Sequence, residues 1–490
     1  MKFYKAFLFP TLLACLSLTS CYHEFPNGGG GGGGGGNNNG NTILNLFVTT
    51  TPSTTFSFPG ITWEIDSVQL VNSAGTTISL GGASITYPQT QSDSAYFGLT
   101  TVAATSYTKL LVTFGPALFS YVYNSSNATM FSAPNTCAPG LVCLIPSSIP
   151  GFGANSTPIS VPITFSTTAN TNTGIRVNFD LSKAVTTAGA QGMTFDFTQP
   201  GAITLIADPP AASSLPAGID FIDNFTGVVT ATTTTTVSVS SYLTSGPRTF
   251  TFAATGVEFD DPFANCPTQP ANATCLAIGQ NISIDGYVAS DSFGTRTATE
   301  IEFLDRTPAV NELEGVIISP PINNQFKIIL TNGMGTPTTI VSSPVLINLN
   351  GAETYFVDPK DLATSDSQTG FLSQTDLVLG QTVMVQGGTF GGANTSITNP
   401  TRVLLRYSTI SGTVQGPGGS IFTLANVSPF YTNLATNSVL VNTFVPGTAY
   451  DNISSFAGLS NVTSVSVRGL YLNPNSGALQ PLLAAKIRSH

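Results

Sequence analysis

The chain has 490 residues and a formal net charge of −10, yet only 8% of its residues are charged. Thr, Ser, Asn and 48 glycines supply the polarity instead, and the 15 lysines and arginines form no basic run. That excludes nucleic acid as the expected partner, and the length allows several domains.

The first element is a leader. Lys2 and Lys5 open an apolar segment, Ala6–Leu18. Its about 13 residues fall short of the about 20 that a membrane-spanning helix needs, and fit the apolar core of a secretory signal. The segment ends Leu18-Thr19-Ser20-Cys21. This resembles the lipobox of bacterial lipoproteins: an apolar residue, two small ones, then the cysteine that receives lipid. The resemblance implies a signal peptide over 1–20 and a diacylglycerol on Cys21. It also implies a third acyl chain, and two or more chains anchor stably. Tyr22, standing where an aspartate would retain the protein at the inner membrane, implies the outer membrane. The unbroken glycines Gly28–Gly36 and the asparagines around them make 21–41 a flexible tether. Its typical reach is about 25 Å.

After residue 42, strand signals dominate. "SVQLV" (67–71), "KLLVTF" (109–114), "IRVNFDL" (175–181) and "TVSVSSYL" (236–243) alternate apolar and polar residues, with Gly, Pro, Asn and Asp between them. No long amphipathic helix is expected. Residues 42–208 read as a β-sandwich-like domain, and "ADPPAASSLPAG" opens a linker at 209–221. A pattern then recurs three times, over 222–307, 309–408 and 409–490. Each copy starts with a Gly-x-Val-like strand: "GVV" (227–229), "GVI" (315–317), "GTV" (412–414). A strand follows that ends in an aromatic and an aspartate: "VEFDD" (257–261), "TYFVD" (354–358), "TAYDN" (448–452). Next comes a strand ending in glycine: "IGQNISIDG", "LGQTVMVQG", "NVTSVSVRG". Short strands punctuated by glycine suit a small OB-like barrel, with glycine permitting a bulge or a sharp bend. The predicted fold is all-β: one sandwich-like domain followed by three OB-like barrels.

The "G-x-V … L-G-Q-x-V-x-V-x-G … A-x-x-I" layout resembles a bacterial repeat family of unknown function found in exported proteins. "LNLFVT", "IDSVQLVNSAG", "YTKLLVTF" and "IRVNFDLSKAV" resemble a second such family. Neither resemblance implies an activity or a catalytic residue.

Setting aside Cys15 in the leader and Cys21, four cysteines form two close pairs, Cys137 with Cys143 and Cys266 with Cys275. Their spacings are not the CxxC type of zinc sites, and the only histidines are His23 and His490. Two local disulfides are therefore expected, consistent with export. The same shortage of histidine removes Ser-His and Cys-His nucleophiles from the domains. Carboxylates remain as candidate glycosidase groups: Glu258, Asp260 and Asp261; Asp220 and Asp223; Asp358 and Asp361. Their places at strand ends read more simply as turn caps, and so does the recurring aspartate at 260 or 261, 358 and 451. Trp63 and the tyrosines could stack on sugar but fit a core as well. No metal or cofactor is expected. The predicted function is non-catalytic: a lipid-anchored outer-membrane protein for binding, adhesion or scaffolding, with a carbohydrate or envelope protein as ligand. The alternative is a carboxylate-dependent enzyme acting on polysaccharide.

Overall fold

β-Branched and aromatic side chains suit a pleated, half-buried surface, and the alternating runs become strands. The computed structural model describes residues 40–490, apart from internal segments of which 261–274, 335–343 and 358–370 are the longest. The fold is all-β, a sandwich followed by three OB-like barrels.

One sandwich sheet has the order Ile203–Asp208, Asn172–Asp180, Asn41–Thr51, Ala95–Ala103. The other has the order Thr77–Tyr87, Ser57–Asn72, Ser106–Tyr123, Val142–Ile145, and Ile159–Ser166 also pairs with Ser106–Tyr123. Period-two alternation sends Leu44, Leu46 and Val48 of one sheet and Ile61, Trp63 and Ile65 of the other into a single core. Trp63 is 1% exposed and packs edge-on against Phe179, so it is a core residue. Cys137 and Cys143 are joined, with sulfurs 2.01 Å apart. Cys275 is disulfide-bonded, while Cys266 and Cys21 lie outside the described residues.

The barrels share one pairing scheme. In the first, Gly218–Thr232 pairs antiparallel with Thr236–Ser240 on one side and Asn281–Ala289 on the other. Pro247–Phe252 continues the sheet from the second strand, and Arg296–Phe303 continues it from the fourth. A parallel contact between these two brings the ends together. The short strand Glu258–Asp260 adds to the last one. The second barrel repeats this with Glu312–Ile322, Gln325–Met334, Val345–Asn348, Thr382–Gln386 and Arg402–Gly418. There the third strand pairs with Ser396–Thr398 instead of the last strand. The third barrel uses Arg402–Gly418 again, then Ile421–Ala425, Val439–Thr443, Ser464–Tyr471 and Leu482–Ser489.

Arg402–Gly418 therefore serves two barrels. Arg402–Arg406 pairs with Thr382–Gln386, and Tyr407–Thr413 pairs with Ser464–Leu470. The expected boundary at 408/409 falls inside this continuous strand. The first barrel likewise begins at Gly218, within the expected linker.

The recurring glycines have a steric cause. A Cβ on Gly227, Gly315 or Gly412 would press on the carbonyl oxygen of Ser240, Ile329 or Ala425 in the neighbouring second strand. Gly286 and Gly469 each follow a register shift and face a carbonyl of the last strand in the same way. The barrels bend where only hydrogen fits.

Candidate functional site

The few charges of this chain converge. Asn172–Asp180 points Ile175, Val177 and Phe179 into the sandwich core, so Arg176 faces outward, toward the barrels. Arg176 Nη2 lies 2.9 Å from Asp208 Oδ1 and 3.0 Å from Asp220 Oδ2, and its Nη1 lies 3.3 Å from Asp451 Oδ2. Arg488 Nε donates to the same Asp451 oxygen at 2.6 Å, and Arg488 Nη2 donates to Ser94 Oγ at 2.8 Å. Lys486, two residues away on the same strand face, pairs with Asp223. Arg468 lies 3.4 Å from both Asp93 and Asp285 and stacks 4.4 Å over the Tyr407 ring. Arg406 pairs with Glu302 and stands 3.6 Å from Glu314. Of these charged side chains only Asp285 and Glu302 exceed 10% exposure. The result is a buried charged seam to which the sandwich and all three barrels contribute.

Electrostatics divide the seam acids into two kinds. Burial alone would raise Asp451, but Arg488, Arg176 and Lys486 overcome it and hold that carboxyl well below the usual range. Burial pushes Asp208 well up, neighbouring Asp220 adds to the rise, and Arg176 only partly opposes it. Burial also raises Asp223 against the pull of Lys486, and Glu314 against the pull of Arg406. Burial disfavours the charge of Arg176, yet Asp220, Asp451 and Asp208 together keep it protonated. The named ion pairs hold eight carboxyls and five cations, an excess of three acids.

The seam brings together Asp220 and Asp223 of the expected carboxylates, and Asp451 of the recurring aspartates. Asp451 is no turn cap: it is 0% exposed and paired to two arginines. Glu258 is exposed on its short strand, which pairs with the strand of Glu302. Asp260 closes that strand, and Asp261, Asp358 and Asp361 lie outside the described residues. The sequence reading missed Arg176, Arg406, Arg468, Lys486 and Arg488. Their signal is a charge in mid-strand between buried apolar neighbours, as in "AKIRS", where Ile487 faces the barrel core. Among the described residues no group of three or more His, Cys, Asp or Glu is placed to hold a metal ion.

A groove of about 760 Å³ opens elsewhere, along one side of the sandwich. Its walls are the edge strands Ile159–Ser166 and Ile203–Asp208, which belong to opposite sheets. Its volume falls in the range of small-molecule sites. Ser160, Thr164, Thr198, Gln199 and Thr204 offer hydroxyl and amide groups, prolines and side chains such as Ile163 and Leu205 offer apolar faces, and no charged residue among the described ones lines it. No family model and no curated protein matches the chain.

Proposed function

We propose that the chain is an exported, lipid-anchored protein of the outer membrane that binds a neutral carbohydrate of the envelope without transforming it. The observation that carries this reading is the separation of acids from the accessible groove. A glycosidase places two carboxyls about 5–10 Å apart, flanking the bond it cleaves. Here Asp208, Asp220 and Asp451 close around Arg176 in the interior, while the described lining of the groove is uncharged: apolar side chains such as Ile163 and Leu205, prolines, hydroxyls and an amide. Pro162 removes a backbone donor from one groove edge, which disfavours strand addition by a peptide. A hydroxyl-rich ligand suits what remains.

The test is a panel of neutral oligosaccharides offered to the full chain, with binding and hydrolysis read in parallel. Binding without turnover is expected, with loss of binding in Thr204→Trp, which fills the groove. Hydrolysis abolished by Asp220→Asn in a folded protein would favour the carboxylate enzyme instead. Binding to envelope proteins but to no sugar would replace the ligand. The anchor is checked by fatty-acid labelling, which Cys21→Ala should eliminate while releasing the protein from membranes.

A further inference from the structure

The turn at 349–353 joins Val345–Asn348 to Thr354–Phe356 in the second barrel. It reads Leu-Asn-Gly-Ala-Glu. Gly351 adopts φ 83°, a left-handed value that favours glycine. A Cβ there would meet nothing within 4 Å, so no side chain shields its peptide nitrogen. Asn350 and Gly351 are both exposed.

Hydrogen bonds within the turn bring reactive groups together. Ala352 N donates to Asn350 Oδ1 at 2.8 Å. That bond closes a ring that contains both Asn350 Cγ and the Gly351 nitrogen, and it keeps the two close. Gly351 N donates to Glu353 Oε2 at 3.0 Å and to Oε1 at 3.3 Å. Asn350 N also donates to the Glu353 carboxylate and so helps to hold it in place. These are the parts of an acyl transfer. The Gly351 nitrogen is a nucleophile, and the carboxylate of Glu353 is a base on its proton. The Ala352 N–H faces the oxygen on which charge develops when Asn350 Cγ is attacked.

Two other asparagines each lack a part. Asn72 makes the same turn, accepting from Ala74 N at 3.0 Å, but the N–H of the following Ser73 donates to the Ser106 carbonyl at 3.0 Å. A neutral carbonyl is a poor base. Asn332 precedes Gly333, but both lie within Gln325–Met334, opposite Glu314 and Leu313 of the neighbouring strand. The ladder there keeps the backbone extended.

We propose that Asn350 is a self-modification site, at which the chain converts Asn350–Gly351 to aspartyl and isoaspartyl forms through a cyclic imide, with Glu353 as the base. Glu353 takes the proton of Gly351 N as that nitrogen forms a bond to Asn350 Cγ. The Cγ–Nδ2 bond then breaks, the proton passes to the departing nitrogen, and ammonia leaves. Water adds to either carbonyl of the imide and opens the ring, giving aspartate or isoaspartate. Each conversion places a new carboxyl beside Glu353, and the isoaspartyl form also lengthens the backbone of the turn.

The test holds the full chain at near-neutral pH for several weeks. Peptide mapping by mass spectrometry follows the change from amide to acid at Asn350, Asn332 and Asn72, with the isoaspartyl peptides separated by retention. Asn350 should convert about tenfold faster than either of the others. Glu353→Gln keeps a hydrogen-bond acceptor but removes the base, and should slow Asn350 about tenfold. It should also steepen the dependence of the rate on pH, because the proton must then be taken by hydroxide. A merely structural role for Glu353 would not change that slope. The comparison among the three asparagines needs no variant, so the test stays decisive if Glu353→Gln is poorly folded. Conversion at Asn350 no faster than at Asn332 and Asn72 overturns the proposal, and so does an unchanged rate and pH slope in a folded Glu353→Gln.

Discussion

The first and third barrels have the same strand pairings and the same glycines pressed against the same carbonyls, yet they bring opposite charges to the seam. The first barrel supplies Asp220, Asp223, Asp285 and Glu302. The third supplies Arg468, Lys486 and Arg488, with Asp451 alone on the acidic side. Repetition preserves what closing a barrel demands. Complementarity decides which barrel faces which, because like charges brought together in the interior would not be compensated. A copy of the first barrel in the third position would set acids against acids.

The strongest way to break this contrast is to remove the acid that the third barrel keeps for itself. Asp451 is shared by Arg176 and Arg488 at 3.3 and 2.6 Å. Asp451→Asn leaves two buried guanidiniums under-compensated and should cost about 3–5 kcal/mol, read from denaturant midpoints. A cost below about 1 kcal/mol would mean that water reaches the seam. By contrast, replacing both members of the Lys486–Asp223 pair, as Lys486→Met with Asp223→Leu, should be near neutral or stabilising, because no charge is left behind. The double-mutant cycle separates the pair from its surroundings.

The shared half of the comparison is tested at the glycines. Gly227→Ala and Gly412→Ala add a methyl group against equivalent second-strand carbonyls; for Gly412 the oxygen of Ala425 is 2.5 Å away. Each should destabilise by about 1–3 kcal/mol through overpacking, and by similar amounts in the two barrels. Thermal unfolding that responds to only one of them would show that the two bends are not equivalent.

These same glycines explain how much of the fold was legible. A carbonyl that approaches a strand too closely for a Cβ leaves a mark in one residue, and the mark recurs at 227, 315 and 412. Apolar alternation in "IRVNFDL" and "KLLVTF" likewise marked which residues enter the sandwich core. The seam was not legible in the same way. Arg176, Asp220 and Asp451 are far apart in sequence, and their meeting depends on how whole β units pack. A charge in mid-strand shows which face it occupies, but solvent and a partner surface look alike in one strand's pattern. Asp451 therefore read as a turn cap beside "TAY", although its neighbours in space are Arg176 and Arg488. The groove was hidden for a related reason: it forms between edges of two sheets whose strands are separated by other elements.

The gentlest probe of the contrast is pH, because it titrates the seam without changing its shape. Asp208, Asp223 and Glu314 are raised above 3.8, 3.8 and 4.5, the values taken for the unfolded chain. Below those values both states hold the proton and these groups contribute nothing to pH dependence. As pH rises past them the unfolded chain ionises first, so stability falls until the folded carboxyls ionise too, by at most about 1.4 kcal/mol per pH unit for each group. Asp451 acts in the other direction: it stabilises above 3.8, and that contribution is lost as pH falls toward its depressed folded value. Its window lies below that of the other three. His490, held down to about 3 by burial and by Arg488, gains stability as pH rises toward 6.5 and would mask the decline. Urea midpoints are therefore measured in His490→Gln and should fall from pH 5 to pH 8. Asp208→Asn, which replaces the carboxyl by an uncharged amide of the same shape, removes its contribution and should flatten that slope. A slope that is flat before the substitution, or an Asp208→Asn variant as unstable as Asp451→Asn, would mean that Asp208 carries its charge inside the seam.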